Sequence, residues 1–128
     1  MEDVFVARIM SSELVTVDDD AEVATAAQQM LAEDVGSILV VDEAGELSGL
    51  LTATDFVRLV RDNDPEDVTP VGACMTTDVV TIGPQDTLDD VEDVVTTGHS
   101  HFPVTDETGV VLGMLSTTDL TAYLVDVY

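Results

Sequence analysis

The chain has no lysine, no tryptophan, one cysteine and three arginines, and its aromatic content is 4%, so there is little to build a cationic or stacking surface from. Each shortage removes a class of function. Without a basic patch nothing draws in a phosphate backbone, which argues against nucleic-acid binding. An anionic membrane surface is disfavoured on the same ground. Cys74 has no cysteine to pair with inside the chain, and with only two histidines it cannot complete a structural zinc site. Beside Met75 it reads as a small buried hydrophobe. No apolar run approaches the length that spans a bilayer. Residues 1–10 are acidic and lack the basic and apolar regions of a signal peptide, so the expected location is cytoplasmic.

What the chain has is acid. Its 27 Asp and Glu residues leave a net charge of −24, and they are spread between apolar positions rather than gathered in a tail. Hydrophobic residues make up 45%, which argues for a folded protein rather than a solvated one. Repulsion on this scale is screened over about 3 Å at 1 M ionic strength. The expectation is a protein adapted to molar salt, and in this it resembles cytoplasmic proteins of salt-accumulating archaea.

The chain also says nearly the same thing twice. Gly49-Leu50-Leu51-Thr52-Ala53-Thr54-Asp55 is echoed by Gly113-Met114-Leu115-Ser116-Thr117-Thr118-Asp119. Asp42-Glu43-Ala44-Gly45 is echoed by Asp106-Glu107-Thr108-Gly109, and residues 10–17 (MSSELVTV) by residues 75–82 (MTTDVVTI). Repeats fix architecture before any residue is given a role. A repeat of about 60 residues buries only roughly 60% of its unfolded surface and is marginal alone, so the two copies are expected to share a core. The boundaries expected from the echoes are residues 1–62, a linker at 63–70 holding Pro65 and Pro70, and residues 71–128.

Within each copy the periodicity switches. Val23, Ala26, Ala27, Met30 and Leu31 mark one face of a helix over residues 21–34, matched by Leu88, Val91, Val94 and Val95. Thr87 and Asp90 form a capping box there. Short strands at 15–17 and 80–82 precede these helices. Hairpins turning at Gly45 and Gly109 follow, then closing helices over 54–61 and 118–125. A short helix is also expected between Val4 and Met10. The fold class is α/β (α+β), with each copy reading β-α-β-β-α.

These residues resemble a tandem pair of cystathionine-β-synthase (CBS) domains, the Bateman module, over residues 4–125. The Met-[Ser/Thr] start, the Asp-Glu-x-Gly hairpin and the Gly-x-x-[Ser/Thr]-x-x-Asp close carry the likeness. The resemblance implies two repeats packed about a pseudo-twofold axis, with clefts that bind adenosine-containing ligands and regulate a partner. It implies that Asp55 and Asp119 hold ribose hydroxyls and that Thr52, Thr54, Ser116 and Thr118 meet phosphate. Val15, Thr16 and Val35 in one copy, and Val80, Thr81 and His99 in the other, would wrap the adenine. Each cleft would take its adenine wall from one repeat and its ribose side from the other. In related modules a basic residue two before a proline meets phosphate, a pattern that Ser100-His101-Phe102-Pro103 keeps and Gly36-Ser37-Ile38-Leu39 lacks.

The chemistry stands on its own terms. A carboxylate accepts two hydrogen bonds from vicinal hydroxyls, and a hydroxyl at a helix start can receive phosphate beside free N–H groups. The same residues also fit plain helix capping. With so few cations, AMP is easier to accommodate than ATP, unless a Mg or K ion bridges; no resident cofactor or metal is expected. S-adenosylmethionine or NAD is an alternative ligand. A rival function is a ligand-free module that dimerises through the Val23–Leu31 helix face and the Leu120, Tyr123, Leu124 and Tyr128 group. Nothing in the sequence forms a nucleophile motif, so an enzyme is not expected. A homodimer with an effector protein is.

Overall fold

The computed structural model describes residues 4–65, 68–95 and 100–127. Their elements run α1 (Val6–Ile9), β1 (Thr16–Asp18), α2 (Val23–Glu33), β2 (Ser37–Val41), β3 (Leu47–Thr52) and α3 (Ala53–Asp62). They continue α4 (Val71–Cys74), α5 (Leu88–Val95), β4 (His101–Thr105), β5 (Val111–Ser116) and α6 (Thr117–Val127). The chain is a mixed α/β protein in which a helix, an antiparallel hairpin and a closing helix occur twice, with a leading strand in the first copy. It divides into two compact units, Val15–Val79 and Met1–Leu14 with Val80–Tyr128.

In the Val15–Val79 unit, β1 pairs in parallel with β2 and β2 pairs antiparallel with β3. The core gathers Val17, Val23, Ala26, Met30, Ile38, Val40, Leu51, Leu59 and Val71. Helix α2 buries Val23, Ala26 and Met30, as its 3.6-residue period requires. Leu31, expected on that face, is 84% exposed. One residue beyond Met30 steps about 100° round the helix, which carries Leu31 off the apolar stripe. The helix ends at Asp34, whose left-handed φ of 54° returns its N–H to the carbonyls of Leu31 and Met30.

In the other unit β4 and β5 pair antiparallel over a core of Val6, Ile82, Val91, Phe102, Val104 and Leu115. The two hairpins turn alike. Asp42 Oδ1 accepts from the N–H groups of Ala44 and Glu46, both at 2.9 Å. Asp106 Oδ1 accepts from those of Thr108 and Val110 at 2.9 and 3.0 Å. Gly45 and Gly109 take the positive φ that these turns require, 80° and 90°. The Thr87–Asp90 capping box is formed in both directions, at 3.0 and 3.4 Å.

The strand expected at residues 80–82 is not one. Only Ile82 pairs, as a single parallel bridge to Val104. The cause is Pro103. In the first copy the N–H of Leu39 donates to the carbonyl of Val15 at 3.1 Å. Pro103 stands where Leu39 does and has no N–H to offer Val80.

The compact units do not coincide with the sequence copies. Helix α1 and Met10–Ser11, expected with the first copy, lie in the unit that holds β5, where Ser11 bridges Met114. Helix α4, which the periodicity did not reveal, lies with β3, where Thr76 bridges Leu50. The repeat of sequence and the compact unit of structure are therefore offset by an exchanged segment. Gly49 and Gly113 mark the crossings. A Cβ on Gly49 would stand 2.8 Å from the Thr76 carbonyl oxygen, and one on Gly113 2.8 Å from that of Ser11. The glycine that opens each repeated motif is required by close backbone approach.

Candidate functional site

In the Val15–Val79 unit β3 runs straight into α3, and Thr52 at the junction keeps extended backbone. That conformation leaves its N–H outside the helical ladder, and Asp55 one turn on reaches back to it. Asp55 Oδ2 accepts from the Thr52 N–H at 2.8 Å and from the Thr52 hydroxyl at 3.2 Å. Asp55 Oδ1 accepts from Arg58 Nη1 at 3.1 Å and from the Thr76 hydroxyl at 2.9 Å. The Asp55 side chain is 1% exposed. Both oxygens are engaged inside the unit. Thr54, on the outer side of the same turn, is exposed.

The equivalent junction between β5 and α6 has the same cap and a different surrounding. The Ser116 N–H donates to Asp119 Oδ2 at 2.9 Å, and the Asp119 N–H donates to the Ser116 hydroxyl at 3.1 Å. Asp119 is half-buried rather than enclosed. Among the described residues no other hydrogen bond to its carboxylate is formed. The position of Arg58 is taken by Ala122, and that of Thr76 by Ser11, which is exposed.

His101 lies directly opposite Ser116 in the β4–β5 ladder. Ser100 joins the same corner, since the Thr117 N–H donates to its carbonyl at 3.1 Å and its hydroxyl lies 3.1 Å from His101 Nδ1. Thr118 is exposed at the helix start. The structure thus brings together Ser100, His101, Ser116, Thr118 and Asp119: a carboxylate, hydroxyls and an imidazole around a helix N-terminus. These can accept from a diol and donate to an anion.

The other candidates lie around β1 and before β2 in one unit, and beside the Ile82 bridge in the other. Val15 and Val35 pack against the Val15–Val79 core, and the Thr16 carbonyl accepts from Gln29 Nε2 at 2.8 Å. Val80 packs against the core of its unit, while Thr81 is exposed beside the bridged Ile82. His99 lies outside the described residues, as do Tyr128 and the Leu124 side chain. Cys74 is partly buried, and burial, then the charges of Asp64 and Asp55, push its thiol up from its ordinary value. It is a poor nucleophile. Among the described residues no three metal-ligating side chains converge.

Two residues of this region, Arg58 and Thr76, are given no role by the sequence pattern. Thr76 had a signal, as the Ser/Thr of the repeated Met-[Ser/Thr] word. Arg58 had none beyond its i,i+3 spacing from Asp55.

The model of the CBS domain matches the chain twice, over residues 6–62 and 71–126. A 17.7 kDa protein of Acidianus ambivalens is 28% identical across 96% of this chain and 74% of its own length. Longer relatives are matched over 21% to 40% of their length. The solved structure of a CBS domain protein of unknown function from Thermoplasma acidophilum superposes with a TM-score of 0.84 at 25% identity, covering 95% of this chain and 70% of that one. The CBS domain pair of protein MJ0100, solved with 5-methylthioadenosine and S-adenosyl-L-methionine, superposes with a TM-score of 0.87 at 22% identity, over 99% and 100% of the two chains.

Proposed function

The chain belongs to the CBS domain family, and from that premise we propose that it is a regulatory module binding an adenosine-containing ligand, AMP in preference to ATP. One observation carries the reading. Asp119 is half-buried at a helix start and, among the described residues, its carboxylate holds a single hydrogen bond. In this reading it takes the ribose hydroxyls, while Ser116, Thr118, Ser100 and His101 meet the phosphate. The adenosine compounds bound by the MJ0100 domain pair support the ligand class. Charge supports the preference, because a triphosphate would enter a field of −24 with few cations to receive it. A bridging Mg or K ion would be needed to relieve that.

The reading is of binding without catalysis, and of a sensor whose state is passed to a partner protein. A thermal-shift panel of AMP, ATP, NAD, S-adenosylmethionine and methylthioadenosine in 2 M KCl tests it. A ligand at 100 times its Kd stabilises by about 2.7 kcal/mol, so AMP should raise the melting temperature by several degrees. No shift with any of them would contradict it.

A second reading, association of two copies, is favoured by Leu31 and Val60, which stand 84% and 76% exposed on α2 and α3. Sedimentation in 2 M KCl should then show a dimer; a 13.6 kDa species alone at micromolar concentration would contradict it.

A further inference from the structure

Asp55 and Asp119 are the same letter of a repeated word, yet their surroundings assign them different work. Four donors converge on the two oxygens of Asp55, which is as many as a carboxylate has lone-pair sites to receive. A ribose diol could reach those oxygens only by displacing them. One donor comes from Thr76, far along the chain in the segment that bridges β3 beside Gly49. Another is Arg58, one of three cations in the whole sequence, and it neutralises a carboxylate that is otherwise enclosed. We infer that Asp55 is a structural latch fastening the Met75–Thr76 segment onto its unit, and that the chain therefore carries one nucleotide site, at Asp119, with Arg58 against Ala122 setting the difference.

The latch rests on the geometry alone; the count of sites rests on the adenosine-binding reading above. The other unit shows what the motif becomes without it. Ala122 removes the guanidinium, Ser11 is exposed rather than donating to Asp119, and the carboxylate opens to half-burial. Arg58 and Thr76 are thus specificity-determining through Asp55, not by touching a ligand.

The two parts are separable by experiment. A thermal-unfolding cycle of Asp55→Asn, Thr76→Val and the double variant in 2 M KCl reads the latch, with hydrogen exchange at the Thr76 amide beside it. Shared function predicts that the double variant melts close to the worse single one and that Thr76 exchange speeds at least tenfold in Asp55→Asn. Asp119→Asn should leave that exchange unchanged. Additive effects, or unchanged exchange, overturn the latch whether or not any nucleotide binds. If Asp55→Asn does not fold, Arg58→Ala with Thr76→Val gives the same cycle. For the count of sites, AMP titration should give one site per chain in the wild type and two in Arg58→Ala/Thr76→Val. Transplanting the latch as Ala122→Arg/Ser11→Thr should weaken AMP at least tenfold. Two sites in the wild type, one of them lost in Asp55→Asn, overturn the count.

Discussion

Leu50 and Thr76 exchange both of their backbone hydrogen bonds, at 2.9 and 2.8 Å, although two helices, α3 and α4, and the whole linker separate them in sequence. Met114 and Ser11 do the same in the other unit, at 2.9 and 2.8 Å. These paired crossings are where each unit closes on a segment that the sequence assigns to the other copy. Their spacing is what makes Gly49 and Gly113 irreplaceable.

Gly49→Ala and Gly113→Ala should each cost about 1–3 kcal/mol, because a backbone carbonyl cannot rotate away from the new methyl. That corresponds to a fall of roughly 4–12 °C in Tm. Gly36→Ala is the control, since a Cβ there meets nothing within 4 Å. If Gly113→Ala melts with the wild type, the crossing is not as close as described.

The second hairpin carries a pH signature. The Thr108 hydroxyl, and after it the N–H groups of Val110, Thr108 and Gly109, hold the Asp106 carboxyl below its ordinary range. A depressed carboxylate adds stability that is full above its unfolded pKa of about 3.9 and is lost as pH falls through the folded value. Asp106→Ala should therefore melt below the wild type at pH 7, with the gap narrowing below about pH 3.5. A gap that stays constant down to pH 2 would show that the charge of Asp106 contributes nothing.

Much of this was legible in the sequence, and the failures have physical causes. Helix α2 and the hairpins follow from period and turn chemistry, since Val23, Ala26 and Met30 recur on one face and Gly45 and Gly109 turn behind an aspartate. The exchange of α1 and α4 was not legible, because a four-residue helix has no period to read and its partners lie far away in sequence. The strand at 80–82 was lost to a missing N–H on Pro103, a residue that belongs to another element. The Ser116–Asp119 corner was legible from the echo of Thr52–Asp55. The difference between them was not, because Arg58 beside Asp55 looks like any surface pair until Thr76 arrives.

Stability should rise steeply with salt. Among the described residues two ion pairs oppose the repulsion of a −24 chain, Arg58–Asp55 and Arg61–Asp62, and the second is exposed. Melting temperature should climb between 0.1 and 3 M KCl as screening shortens. A flat profile over that range would contradict adaptation to salt.

The most direct test is equilibrium dialysis of labelled AMP, in 2 M KCl, against the wild type and Asp119→Asn. The amide can still cap the Ser116 N–H but offers one acceptor and no charge to two ribose hydroxyls. Losing hydrogen bonds to a charged group costs about 1.5–3 kcal/mol, or roughly ten- to a hundredfold in affinity. The account predicts saturable AMP binding in the wild type and that loss in Asp119→Asn with folding intact. AMP bound equally well by both proteins, or by neither, would contradict it.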